Sequence, residues 1–184
     1  MFNQLLERIA LGLEERQIPY MVIGGQAVLI YGEPRLTRDI DITLGVGPER
    51  LADVLALARA SAWRVLVERP DEFVQRTFVL PLDDPQSGIR IDLIFSFSEY
   101  ERQALERARR VNIGEAAVRF AAAEDVIVHK IAAGRPRDLE DVRSILLKNR
   151  ELDLVYIRNW LAEFDRSLGE NYLRAFEDLA PFSQ

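Results

Sequence analysis

The sequence predicts an α+β fold, with a core over residues 1–120 and a helical C-terminal region over residues 121–184 packed on it. Three observations carry this expectation. Asp39-Ile40-Asp41-Ile42-Thr43-Leu44 alternates with period two, as a strand with one polar and one apolar face does. Apolar residues recur at helical spacing around such strand-like runs, first at Phe2, Leu5, Leu6, Ile9 and Leu13. Beyond Phe120 the pattern is helical to the end, with Tyr156, Trp160 and Phe164 stacked four residues apart.

The elements follow in order. The opening amphipathic helix ends at Ile18-Pro19, and Tyr20-Met21-Val22-Ile23 is a short apolar strand. Gly24-Gly25 punctuates, and Gln26 to Tyr31 is a short helix closed by Gly32. The Asp39–Leu44 strand is followed by a turn over Gly45 to Pro48 and a helix over Leu51 to Ala60. Trp63 to Val67 reads as a strand, and Phe73 to Leu82 with Ile89 to Phe95 reads as a hairpin around Asp83-Asp84-Pro85-Gln86-Ser87-Gly88. Glu99 to Arg110 is a charged helix, and a short strand falls within Ala116 to Phe120. Helices over Glu124–Ala133 (ended by Gly134), Asp138–Lys148 and Leu152–Leu168 complete the chain.

Composition narrows the chemistry. A chain of 184 residues suits one domain with a helical appendage and buries roughly 70% of its unfolded surface. There is no cysteine, which excludes disulfides, thiolate catalysis and iron–sulfur clusters, and the single histidine, His129, disfavours histidine-based metal centres and triads. No run is apolar enough for a membrane span, and acids among the first residues disfavour a signal peptide, so the cytoplasm is the expected compartment. The net charge of −6 argues against a generally basic nucleic-acid-binding surface. Of 24 basic residues only Lys130 and Lys148 are lysine.

The chemistry concentrates between Gly24 and Thr43. Asp39 and Asp41, two apart on a strand, leave the same face while Ile40 and Ile42 enter the core. Two carboxylates so fixed repel each other, and a divalent cation relieves the repulsion. The ligands on offer are hard oxygens, which favours Mg²⁺ or Mn²⁺ over zinc. A third acid, Asp92, stands opposite the buried face formed by Ile89, Ile91, Leu93 and Phe95. If the two strands are neighbours, Asp39, Asp41 and Asp92 form one catalytic and metal-binding cluster. Gly24-Gly25, between strand and helix, lets backbone approach a phosphate, and the helix start offers free N–H groups.

The ordered set of Gly24-Gly25, Asp39-Ile40-Asp41 and a later strand aspartate, Asp92, resembles the signature of the DNA-polymerase-β-like nucleotidyltransferase superfamily. With Gly32, Arg35 and Thr37 added, the string resembles the branch of AbiEii/MenT-type toxin nucleotidyltransferases and that of aminoglycoside and lincosamide nucleotidyltransferases. The block Glu124 to Asp141 supports the resemblance, which spans about residues 20–145. It implies a polymerase-β-like core with a mixed sheet, and transfer of a nucleoside monophosphate from an NTP to a hydroxyl with release of pyrophosphate. It further implies Lys130 directed at the nucleotide phosphates, with the Arg137-Asp138 pair following it in the nucleotide-binding block. The acceptor is then a hydroxyl on RNA, on a small antibiotic-like molecule or on a protein, and the toxin branch brings an antitoxin partner. A noncatalytic nucleotide- or partner-binding module with the same fold is the alternative.

Several residues carry a structural reading beside the functional one. Arg35 and Arg38 either neutralise the aspartates or contact phosphates. Lys130 also suits a helix surface, and Asp138, before a helix, suits an N-cap. His129 reads as a helix-packing residue. Arg102, Arg107, Arg109 and Arg110, interleaved with Glu99, Glu101 and Glu106, read as a salt-bridged helix face rather than an RNA patch.

Overall fold

The computed structural model describes residues 1–34, 36–96 and 98–180, so Arg35 lies outside the described residues. The chain divides into two compact units, residues 1–26 with 36–121 and residues 27–35 with 122–184.

The first unit is built on seven strands: β1 (Tyr20–Ile23), β2 (Asp39–Leu44), β3 (Arg64–Val65), β4 (Val79–Asp84), β5 (Ile89–Phe95), β6 (Arg109–Ile113) and β7 (Ala116–Phe120). They form one sheet in the order β3-β4-β5-β2-β1-β7-β6. β2 pairs parallel with β5 and β1 parallel with β7, whereas the other pairs are antiparallel, so the sheet is mixed. One face is apolar: Val22, Ile40, Ile42, Ile91 and Leu93 are each fully buried. Helix α1 (Phe2–Glu15) packs against β6 and β7 through a stripe of Leu5, Leu6, Ile9 and Leu13, the periodicity read from the sequence.

The strand carrying the aspartate pair has the bounds its alternation predicts, Asp39–Leu44. Three local expectations are corrected. The stretch Phe73 to Thr77 is helix, not strand: α4 (Pro70–Thr77) has proline at its start, Asp71 and Glu72 in its first turn and only Val74 buried. Phe78, at φ 59°, closes α4 in a left-handed turn, and β4 begins after it. The charged helix α5 (Glu99–Arg107), opened by a Ser98–Glu101 capping box, stops before Arg109. Arg109 and Arg110 instead belong to β6, an edge strand whose exposed polar residues mask its period. The strand expected over Trp63 to Val67 shrinks to the two residues of β3.

Helix α2 (Gly24–Tyr31) begins in the first unit and ends in the second. There it is joined by α6 (Ala123–Ala133), α7 (Pro136–Lys148), α8 (Leu154–Leu168) and α9 (Tyr172–Leu179). Within this unit Asn149 Nδ2 donates to the Tyr31 carbonyl and Lys148 Nζ to the Gly32 carbonyl, which ties the end of α2 to the end of α7. α8 starts with an Asp153 cap, its side chain accepting from Tyr156 N at 2.9 Å. No helix among the described residues is long and apolar enough to cross a membrane.

Candidate active site

The sheet register brings the predicted acids together. In the parallel β2–β5 pair, Asp41 lies directly beside Asp92, and Asp39 beside Arg90. Adjacent strands sit about 4.8 Å apart, so these neighbours project from the same face at contact distance. All three aspartates are partly buried, as their positions above an apolar sheet layer dictate.

Asp92 is already engaged. Arg90 Nε donates to both of its carboxylate oxygens, at 2.9 and 3.0 Å. Arg90 stands two residues before Asp92 on β5, hence on the same face. Among the described residues, no group of three or more histidine, aspartate or glutamate side chains is set to hold a metal ion. The donors suit a hard divalent cation in type and adjacency, but Asp92 is turned onto an arginine. Sequence reasoning missed Arg90, although its even spacing from Asp92 was a readable signal.

Gly24 is required here on two counts. Its φ of +62° favours glycine, and a Cβ at this position would lie 2.9 Å from Asp41 Cγ and overlap the carboxylate oxygen. The Asp41 carboxylate therefore rests against the backbone where β1 turns into α2. Gly25 lies in the first turn of α2, whose leading N–H groups have no partner within the helix. Behind this turn, Gln26 Nε2 donates to Thr37 Oγ1 at 2.6 Å, both residues being buried, which fastens the segment entering β2. Arg38, just before Asp39, is exposed.

The second unit holds the other predicted residues. Lys130 on α6 is 6% exposed, and its Nζ lies 2.6 Å from Asp138 Oδ1 and 3.0 Å from Asp141 Oδ2 on α7. Arg135 Nε reaches the other Asp138 oxygen at 2.6 Å. Asp138 is the third residue of α7, not its N-cap; Arg135 holds the cap position, and no side chain caps there. The N-cap expectation fails because Pro136 starts the helix two residues earlier, and proline is favoured at a first helical position. The lysine ammonium is thus taken by two carboxylates within its own unit. Burial alone would raise the Asp138 carboxyl, but the hydrogen bonds and charges of Lys130 and Arg135 outweigh it and hold the group below the usual carboxylate range.

A pH prediction follows from that direction. A depressed folded-state value means the stabilisation is fully present above the unfolded aspartate value of about 3.9 and is lost as pH falls through the folded value. Urea midpoints from pH 7 to pH 3 are expected to drop at the acid end, and Asp138→Asn to flatten that drop. An identical acid profile in the variant would refute the assignment.

A family model described as a nucleotidyltransferase of unknown function (DUF6036) matches residues 2–178. The chain belongs to this nucleotidyltransferase family. No curated protein matches it in sequence. Its fold is similar to that of ANT(2'')-Ia, solved in complex with adenylyl-2''-tobramycin, at 19% identity and a TM-score of 0.63 over 91% of this chain and 98% of that one. It is also similar to an antigenic nucleotidyltransferase-like protein from Paracoccidioides brasiliensis, at 18% identity and a TM-score of 0.55 over 94% and 92% of the two chains. The lincosamide antibiotic adenylyltransferase LnuA, lincomycin-bound, matches at 14% identity and a TM-score of 0.50 over 72% and 89%. These likenesses bear out the α+β polymerase-β-like fold read from the motifs. The nucleotidyltransferase carries its Asp39–Asp41 pair on β2, a central strand of its seven-stranded sheet.

Proposed function

We propose that this nucleotidyltransferase is divalent-metal-dependent and moves a nucleoside monophosphate from an NTP onto the hydroxyl of a small molecule. The observation that carries the reading is the β2–β5 register, which sets Asp41 beside Asp92 on the face where Gly24 meets the Asp41 carboxylate. Asp39, Asp41 and Asp92 would hold Mg²⁺ or Mn²⁺. Such a cation, when bound, supplies charge stabilisation to the reacting phosphoryl oxygens. The backbone at Gly24-Gly25 approaches the triphosphate and donates from the start of α2. Arg38, exposed beside Asp39, adds positive charge on the phosphates. The acceptor oxygen bonds to the α-phosphorus, the bond from that phosphorus to the bridging oxygen breaks, and pyrophosphate leaves. The hydroxyl proton passes to Asp92. Lys130 and Asp138, bound to each other, serve the second unit's packing in this reading.

A net charge of −6 favours a neutral or cationic acceptor over polyanionic RNA, whose binding rests on phosphate neutralisation. Binding is tested by thermal shift with each of the four NTPs, with and without Mg²⁺ or Mn²⁺. The expected result is a metal-dependent stabilisation, about 2.7 kcal/mol at a hundredfold excess over Kd. Absence of any metal-dependent shift would point to a noncatalytic module. Transfer of label from an α-³²P-NTP to aminoglycoside or lincosamide acceptors supports the small-molecule reading. Label on total RNA instead would refute it and place the enzyme with toxin-type transferases.

A further inference from the structure

We propose that Arg90 is a latch on the third carboxylate: it holds Asp92 while the site is metal-free and yields it when a divalent cation binds the aspartates. The proposal rests on the metal-dependent reading above. Asp39, Asp41 and Asp92 stack three negative charges on two adjacent strands, and without compensation they repel. Arg90 lies inside this group, opposite Asp39 in the register and two residues from Asp92.

The way Arg90 bonds is informative. Its Nε alone serves both Asp92 oxygens, and its terminal guanidinium nitrogens make no hydrogen bond among the described residues. The arginine side chain is 54% exposed, against 17% for Asp92. Another acid is also within strand-neighbour reach: Asp83 faces Arg90 across the β4–β5 pair. Asp83, however, is held by Arg64 through both nitrogens of a fork, Nε at 3.1 Å and Nη2 at 2.5 Å. Arg90 is thus reserved for Asp92, through one nitrogen on an exposed stem.

Such a pair is strong enough to set a default and weak enough to be exchanged. Half-exposed ion pairs contribute little, because solvent screens them. A divalent cation flanked by two further carboxylates outcompetes one guanidinium. Once Asp92 is given up, Arg90 remains beside Asp39 with its full set of donors, on the face proposed for the triphosphate. The latch therefore also supplies a phosphate contact at the moment the metal-bound nucleotide arrives.

Isothermal titration of Mn²⁺ into the metal-stripped protein tests this, with circular dichroism confirming the fold of each variant. Arg90→Gln removes both the latch and a cationic neighbour, and Mn²⁺ affinity is expected to rise about two- to tenfold. Arg90→Lys keeps the charge but presents it on a flexible stem without the rigid fork, and an intermediate rise is expected. Unchanged or weaker Mn²⁺ binding by Arg90→Gln would overturn the latch. A Lys variant indistinguishable from wild type would reduce Arg90 to a background charge and overturn it equally. Asp41→Asn is the site control: if wild-type Mn²⁺ binding is absent, or survives that substitution, the metal site itself fails and the latch with it.

Discussion

Replacing Lys130 by methionine is expected to cost about 3–5 kcal/mol of stability, the range found when one partner of a buried ion pair is removed. The lysine is buried between Asp138 and Asp141, whose side chains are 4% and 6% exposed, so solvent cannot screen what its loss leaves behind. Arg135 remains on Asp138 but is itself largely exposed and compensates poorly. A protein of this length loses roughly 2–4 °C in Tm per kcal/mol, so a fall on the order of 6–20 °C is expected. Adding Asp138→Asn and Asp141→Asn to Lys130→Met should recover part of the loss, because the stranded charges go too. Urea denaturation of the wild type, the single variant and the triple variant measures this. If Lys130→Met is as stable as wild type yet binds nucleotide poorly, the phosphate role implied by the family resemblance is correct and the packing role is not.

The second large effect concerns catalysis. Asp41→Asn is expected to leave the protein folded and to reduce nucleotide transfer by more than the 10- to 100-fold typical of residues that only support a metal ligand. Asp41 occupies the meeting point of the site: Asp92 beside it on β5, Ile23 beside it on β1 and the Gly24 backbone against its carboxylate. The amide keeps the shape, so the contact with Gly24 survives while the negative charge is lost. Transfer from an α-³²P-NTP is the readout, and Asp53→Asn on helix α3 (Leu51–Ala60) serves as a charge-matched control. A folded Asp41→Asn enzyme with wild-type transfer would remove the basis for the metal assignment.

The parts of this protein that were legible in the sequence are those fixed by local periodicity and local stereochemistry. Alternation over Asp39–Leu44 placed both aspartates on one face, because successive side chains of a strand point oppositely. The diglycine was recognisable because few residues tolerate the left-handed backbone that Gly24 adopts. The same locality explains the errors at α4 and β6. Residues around Phe73 and Arg109 carry mixed patterns, and only capping and edge pairing decide between helix and strand.

Tertiary structure alone decided which charges meet. That Asp41 neighbours Asp92 follows from a register that pairs residues 51 positions apart, with β3 and β4 lying between the two strands in sequence. That Lys130 is enclosed by two carboxylates depends on how α6 meets α7, which no spacing along the chain encodes. Arg90 lies between these cases: its face was readable, but its choice of Asp92 over Asp83 was settled by Arg64 on β3. Side-chain direction is set within a few residues by backbone geometry, whereas ion pairing is a competition among every charge the fold brings near.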